Sequence, residues 1–328
     1  MSLIVDTFGR TVEYLRLSVT DRCDFRCVYC MSEDPCFLSR EHVLSLEELA
    51  WVAQAFTELG VKKIRLTGGE PLVRTDCDQL VKLLGKLPGL EELSMTTNGS
   101  RLTRFAAEMH DSGLNRLNIS LDTLKPDLFT SLTRNGKVDR VIAGIDAAIA
   151  AGFKKIKINA VILRGQNDDE VLDLIEFCRE RDLDIAFIEE MPLGVIDERK
   201  RSRHCSSKEI QDIISERYEL IQSNRRTGGP ARYFTMPGSD IHVGFISPHS
   251  NNFCHECNRV RVTVEGRLLL CLGNENSVDL KAIVREFPGD IEKLKVAILD
   301  GIQHKPKEHH FDPNGETQIL RFMNATGG

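Results

Sequence analysis

No stretch of this sequence approaches the run of about 20 apolar residues that a membrane span requires. Residues 1–10 hold no apolar core of the kind an export signal needs. Basic residues are not in excess. The 43 Lys and Arg stand against 49 Asp and Glu, a net charge of −6, and a general nucleic-acid binder would show a basic footprint instead. Internal repeats and low-complexity segments are missing too, which excludes solenoids and disordered tails. What the chain does have is ten cysteines. Without an export signal they point to reduced thiols, a cytoplasmic setting and metal ligation, not to a disulfide framework.

The 328 residues, 41% of them hydrophobic, suffice for a sizeable core. Short β-like runs at Tyr14–Thr20, Lys62–Thr67, Glu91–Thr97, Asn115–Asp122, Lys154–Leu163 and Asp184–Glu189 alternate with helical stretches such as Ser45–Leu59 and Asp168–Arg181. Six βα units in succession predict an α/β fold with a parallel sheet, an incomplete (βα)6 TIM-like barrel. Ser45 with Glu48, and Ser206 with Glu209, form capping boxes that start two helices. After Gly228-Gly229-Pro230 the pattern changes. Ala231–Met236, Ile241–Ile246, Arg259–Val264 and Arg267–Leu270 read as short antiparallel strands, with a turn at Glu265-Gly266. The expected division is therefore a barrel over residues 1–230 and an antiparallel α+β region over 231–328 that closes it.

Six of the cysteines fall into two trios. Cys23-x3-Cys27-x2-Cys30 brings three soft thiolates to one centre, with Tyr29 inside the loop. Cys36 and His42, the nearest further donors, are not at a usual ligand spacing, so the site is read as three thiolates with a vacancy. A zinc knuckle borrowing a distant ligand is the plainer alternative. Cys254-x2-Cys257, followed after 13 residues by Cys271, resembles a zinc ribbon one ligand short, which His249 or His255 could fill. Cys77 and Cys178 lie on apolar helix faces and read as core. Cys36 and Cys205 sit in loops and receive no role.

Strand parity identifies what a barrel would hold inside. Leu15, Leu17 and Val19, with Ile64 and Leu66, Leu117, Ile119 and Leu121, and Ile156, Ile158 and Ala160, form the helix-facing sets. Their neighbours turn inward: Arg16, Ser18, Thr20, Lys63, Arg65, Thr67, Arg116, Asn118, Ser120, Asp122, Lys157, Asn159 and Val161. A filled barrel packs branched aliphatics there. At least four cations in a lumen call for an anion such as a phosphorylated substrate, because a buried charge without a partner costs several kcal/mol.

Cys23-x3-Cys27-x2-Cys30 resembles the signature of the radical S-adenosylmethionine (SAM) enzymes, in which three cysteines hold a [4Fe–4S] cluster and SAM chelates the fourth iron. Gly68-Gly69-Glu70-Pro71 is similar to that family's Gly-Gly-Glu motif, whose backbone and carboxylate receive the SAM amino group. Thr96-Thr97-Asn98-Gly99, Ser120-Leu121-Asp122 and Met191 also stand at C-terminal strand ends, where barrel enzymes build their sites. The segment Phe253–Thr263, with Gly229-Pro230-Ala231 and a terminal Gly327-Gly328, resembles the GTP 3′,8-cyclases of molybdenum-cofactor biosynthesis (the MoaA family).

That resemblance implies two [4Fe–4S] clusters, one on Cys23, Cys27 and Cys30, the other on Cys254, Cys257 and Cys271 and open to the guanine of GTP. It implies SAM contacts at Tyr29, Gly69, Ser120 and Met191, and GTP contacts at Arg16, Arg65, Thr96, Lys157, Arg259, Val260 and Arg261. Arg16, Arg259 and Arg261 would position the substrate and manage charge during cyclisation. The implied reaction cleaves SAM to a 5′-deoxyadenosyl radical, takes hydrogen from C3′ of GTP and joins C3′ to C8. The implied partners are a flavodoxin- or ferredoxin-like electron donor and a cyclic pyranopterin monophosphate synthase that receives the product. A homodimer is allowed; nucleic acid and membrane are not expected.

One departure stands out. The family commonly carries Arg-Phe-Ile-Glu on the sixth strand, where this chain has Ala186-Phe187-Ile188-Glu189. An unreplaced guanidinium would cost a few kcal/mol of phosphate binding, unless Lys63 or the basic loop at 199–204 substitutes. Two other classes stay open at this point: a radical SAM enzyme that modifies peptides, and a non-catalytic zinc module.

Overall fold

The computed structural model describes residues 3–191, 203–250, 253–309 and 321–327. Among these a single sheet of twelve strands organises the chain. Six strands, β1 (Tyr14–Ser18), β2 (Lys63–Thr67), β3 (Glu92–Thr97), β4 (Arg116–Ser120), β5 (Ile156–Ile162) and β6 (Asp184–Glu189), lie in chain order, each parallel to the next. Helices α1 (Leu46–Glu58), α2 (Cys77–Leu84), α3 (Leu102–Asp111), α4 (Pro126–Thr133), α5 (Val138–Ala150) and α6 (Val171–Arg179) connect them. This is the partial barrel that the alternation predicts.

Local chemistry explains the elements. At the start of α1 the Glu48 N–H donates to Ser45 Oγ (3.1 Å) and the Ser45 N–H donates to the Glu48 carboxylate (2.7 Å). Leu49, Val52, Ala53 and Phe56 then recur at helical spacing and are fully buried. A second capping box, Ser206 with Glu209, starts α7 (Ser207–Ser215). The strand residues assigned to the helix side, Leu15, Leu17, Ile64, Leu66, Leu117, Ile119, Ile158 and Ala160, have no exposed surface. Each large one contributes about 1.5–3 kcal/mol of burial. Cys77 and Cys178 are core residues, as the helical spacing predicts.

The second half corrects one expectation. Strands β7 (Ile221–Gln222), β8 (Arg232–Thr235), β9 (His242–Ile246), β10 (Arg259–Val262), β11 (Arg267–Leu269) and β12 (Ser277–Asp279) pair antiparallel within two groups, β7–β8–β9 and β10–β11–β12. The sequence pattern predicts antiparallel pairing throughout. Instead β9 joins β6 in parallel, and β10 joins β1 in parallel. The outer strands of a partial barrel carry unpaired N–H and C=O groups, and these two strands cover one edge each. β10 also ends at Val262, because residues 263–266 make the turn, with Gly266 at φ 76°. Helices α8 (Leu280–Glu286) and α9 (Ile291–Ile302) pack beside α1, tied by Arg285 to Glu48 and Lys295 to Glu58. None of the described helices is long and apolar enough to cross a membrane.

Candidate active site

The first cysteine loop sits at the C-terminal ends of the parallel strands, and the chain clamps it from several sides. The N–H groups of Arg26 and Val28 donate to the carbonyls of Thr133 and Leu132. Phe25 meets Phe129 edge-on at 5.8 Å. Asn98 Nδ2 donates to Asp24 (2.8 Å) and lies 3.8 Å from Cys23 Sγ. Gly68 and Gly69 explain why the second loop can come so close: a Cβ would stand 2.2 Å from the Thr20 carbonyl at Gly68 and 2.3 Å from that of Arg22 at Gly69. Glu70 is fully buried and accepts from Leu72 N, Thr97 Oγ1 and Asn98 N. Its carboxylate organises the loop interior, whereas the Gly68-Gly69 backbone faces the cavity.

Cys23, Cys27, Cys30, Tyr29, Gly69, Thr96, Ser120, Asp122, Asn159 and Met191 line this cavity, about 190 Å³ in volume. Its surroundings are acidic. Burial, and then Glu70, push the Cys23 thiol up to about 12. Burial pushes the Cys30 thiol up to about 12 as well. Tyr29 donates to Asp122, whose carboxyl is raised by burial to about 6.

A second cavity of about 180 Å³ adjoins it, sharing Asn159, Ile188, Met191 and Met323 as walls. Cys254, Cys257 and Cys271 line it together with Arg16, Arg65, Lys157, Arg259, Val260 and Arg261. Strand register places the cations in rows: Arg16 stands between Arg65 and Arg261, and Tyr14 beside Arg259. Val260 is in register with Leu15, so its side chain faces the helices and its backbone meets the cavity. Burial, and then Arg261 and Arg65, hold Arg16 well below the usual arginine value. Burial, and then Arg259, bring Arg261 down to about 10. Arg65 lies over the Tyr14 ring at 5.3 Å, Arg259 over Phe253 at 5.1 Å, and Lys157 donates to Tyr233 Oη at 3.1 Å. No described carboxylate forms an ion pair with Arg65, Lys157, Arg259 or Arg261. Arg116 is different, because its guanidinium is 3.2 Å from the Glu92 carboxylate.

The C-terminal tail reaches both cavities. Met323 N donates to the Cys30 carbonyl (3.1 Å), Asn324 Nδ2 to the Asp21 carbonyl (3.2 Å), and Arg261 to the Gly327 carbonyl. Gly327 has φ +77°, and a Cβ there would stand 2.2 Å from Thr67 Oγ1.

Two family models match the chain: the Radical SAM superfamily over residues 17–178 and Molybdenum Cofactor Synthesis C over residues 183–311. The chain is 59% identical to the GTP 3′,8-cyclase of Pseudomonas entomophila over 99% of its own length and 98% of that protein's. It is 58% identical to the GTP 3′,8-cyclase of Marinobacter nauticus at the same coverage. The chain belongs to the GTP 3′,8-cyclase family. Among solved structures, Streptococcus suis SuiB bound to S-adenosylmethionine is similar with a TM-score of 0.64 at 17% identity, covering 90% of this chain and 69% of that one. This likeness concerns the fold alone.

As a radical SAM chain of the cyclase family, it uses SAM and an iron–sulfur cluster, and the first site fits them. Three thiols share one cavity, and on its wall Thr96 Oγ1 and Asn159 Oδ1 are buried without hydrogen-bond partners. Such atoms call for a polar ligand. Among the described residues no three His, Cys, Asp or Glu side chains lie close enough to hold one metal ion. His249 and His255, the candidate fillers, stand off the second cavity. His249 Nε2 is 3.1 Å from the Glu190 carbonyl, and His255 is exposed. Cys36 and His42 are likewise exposed.

Sequence reasoning separated the two groups incompletely. Thr96, expected with the substrate cations, lines the first cavity and not the second. Ala186 is buried in register with Asn159 and Gly244. The Tyr233 ring lies over Gly244, where a Cβ would be 3.0 Å from it. Lys63 donates to the Thr227 carbonyl (3.1 Å), and residues 199–202 of the basic loop lie outside the described residues. Tyr233 and Lys305 were both missed. Tyr233 reads as an ordinary strand aromatic, and Lys305 as a solvent-exposed lysine after a helix.

Proposed function

We propose that this chain is a SAM-dependent GTP 3′,8-cyclase that forms the cyclised dihydro-GTP from which molybdenum cofactor is built. In this reading both thiol sets hold a [4Fe–4S] cluster. The observation that carries it is the pair of adjoining cavities, one thiol-lined and acidic, the other thiol-lined and crowded with cations. When bound, the cofactors of the first site supply one electron and a hydrogen-abstracting radical.

The residues of this chain do the rest. Gly69, Tyr29, Ser120 and Met191 shape the first cavity around SAM, and the clamped loops keep water away from it. Arg65 and Lys157 are held by Tyr14 and Tyr233, so their charges are preorganised for a triphosphate. Arg16, Arg259 and Arg261 surround the position where the ribose and base must meet. Their mutual repulsion is relieved when an anion enters. The guanine then faces the second thiol set, at the far end of the same cavity. In this division residues 1–230 deliver the radical chemistry and 231–328 complete the substrate site. An external one-electron donor is required. The enzyme works in the cytoplasm and passes its product to a pterin-forming synthase.

The test uses Cys271→Ala in the anaerobically reconstituted enzyme. We expect the variant to keep forming 5′-deoxyadenosine from SAM while losing the cyclised nucleotide. Normal turnover to product would remove the second set from substrate binding.

A further inference from the structure

Lys305 is one of the few lysines buried in the described chain, with 2% of its surface exposed. It follows α9, and its Nζ turns inward to donate to three acceptors: the Leu270 carbonyl at 2.6 Å, the Arg259 carbonyl at 3.0 Å and Cys257 Sγ at 3.6 Å. Leu270 immediately precedes Cys271, and Arg259 opens the strand after Cys257. One ammonium therefore ties together the two chain segments that present Cys257 and Cys271.

The segment that carries Lys305 is itself fastened. Arg10 donates to the carbonyls of Pro306 (2.6 Å) and Lys307 (2.7 Å), and to that of Cys254 (2.8 Å). Arg10 is in turn held by Asp6, which is 95% buried, at 2.6 Å. So two cations from opposite ends of the chain bracket the second thiol set, Lys305 from inside and Arg10 from outside. No carboxylate among the described residues neutralises Lys305. A buried, uncompensated ammonium is costly, so its position asks for a lasting anion beside it.

We propose that Lys305 is a positioning residue for the second thiol set: it fixes the segments of Cys257 and Cys271 and supplies the positive charge that balances the anionic group they hold. The inference rests on the two-cluster reading above. Its physical content is that a fixed positive charge next to an iron–sulfur cluster and a hydrogen bond to a ligating sulfur both raise the reduction potential.

The experiment uses the full chain reconstituted anaerobically, in the wild type and in a Cys23→Ala, Cys27→Ala, Cys30→Ala background where only the second set can hold iron. Iron and sulfide are counted first. About four irons in wild type and none in the triple background would overturn the two-cluster reading, and the inference with it. About eight and four establish that reading independently of Lys305. Lys305→Met, Lys305→Gln and Lys305→Arg are then titrated by EPR in the triple background. We expect a lower midpoint potential in the Met and Gln variants, recovery in Arg, and loss of half or more of the bound iron in Met. An unchanged potential and full iron content in Met and Gln would overturn the role. So would loss of both clusters together from the same variants made in the wild-type background, which would mark Lys305 as a general folding residue.

Discussion

The two cysteine trios use the same donor, yet the protein surrounds them with opposite charge. Cys23 and Cys30 lie near Glu70, Asp24 and Asp122, and their thiols are pushed up to about 12, by burial first. Cys257 lies near Lys305 and Arg259 and is brought to about 7, whereas Cys271 is raised by burial although Lys305 opposes the rise. The first environment resists added negative charge, which suits a site that must pass an electron on. The second welcomes negative charge, as the polyanionic substrate of the proposed reading requires. Spacing selects the metal chemistry, and the electrostatic setting separates the roles.

The comparison can be broken most directly at the first trio. Cys23→Ala should abolish both 5′-deoxyadenosine and cyclised product, because no other site passes an electron to SAM. Detectable SAM cleavage in that variant, by chromatography under strong reductant, would remove the asymmetry between the sites. The tail offers a finer cut, since it touches both cavities. Gly327→Ala adds a Cβ at φ +77° and 2.2 Å from Thr67 Oγ1. We expect cyclised product per 5′-deoxyadenosine to fall at least about tenfold, or ~1.4 kcal/mol, with cluster content intact. An unchanged ratio would return the tail to an ordinary chain end.

Lys157→Ala sharpens the contrast between the cavities themselves. It should weaken GTP binding by about 1.5–3 kcal/mol, the range for a hydrogen bond to a charged group, and leave SAM affinity unchanged by calorimetry. Equal loss for both ligands would mean that the cavities do not divide the labour. A separate effect concerns the acids of the first site without cofactors. Burial raises Glu70 to about 7 and Asp122 to about 6, both above their unfolded values. Between the usual carboxylate range and those values the folded chain binds more protons than the unfolded one, so its stability should fall as pH rises. From pH 4.5 to 7.5 the loss attributable to Glu70 is on the order of 2–3 kcal/mol, at 1.36 kcal/mol per unit. Glu70→Gln should flatten the unfolding profile across that window; an identical slope would assign the dependence elsewhere.

The sequence by itself determined the thiol trios, the six βα units and the inward set of Arg16, Arg65 and Lys157. Each rests on a local rule: ligand spacing along one loop, helical period in α1, two-residue alternation in a strand. Those rules act over a few residues and survive any arrangement of the rest. Tertiary structure alone decided the parallel docking of β9 on β6 and β10 on β1, because a strand pairs with whichever edge is free and its own pattern carries no record of that edge. It alone put Thr96 on the first cavity, buried Glu70 inside its loop, and brought Arg10 and Lys305 from opposite ends of the chain to Cys254 and Cys257. Charge acts through space and not along the chain, so two trios of the same donor took on different surroundings only when the fold chose their neighbours.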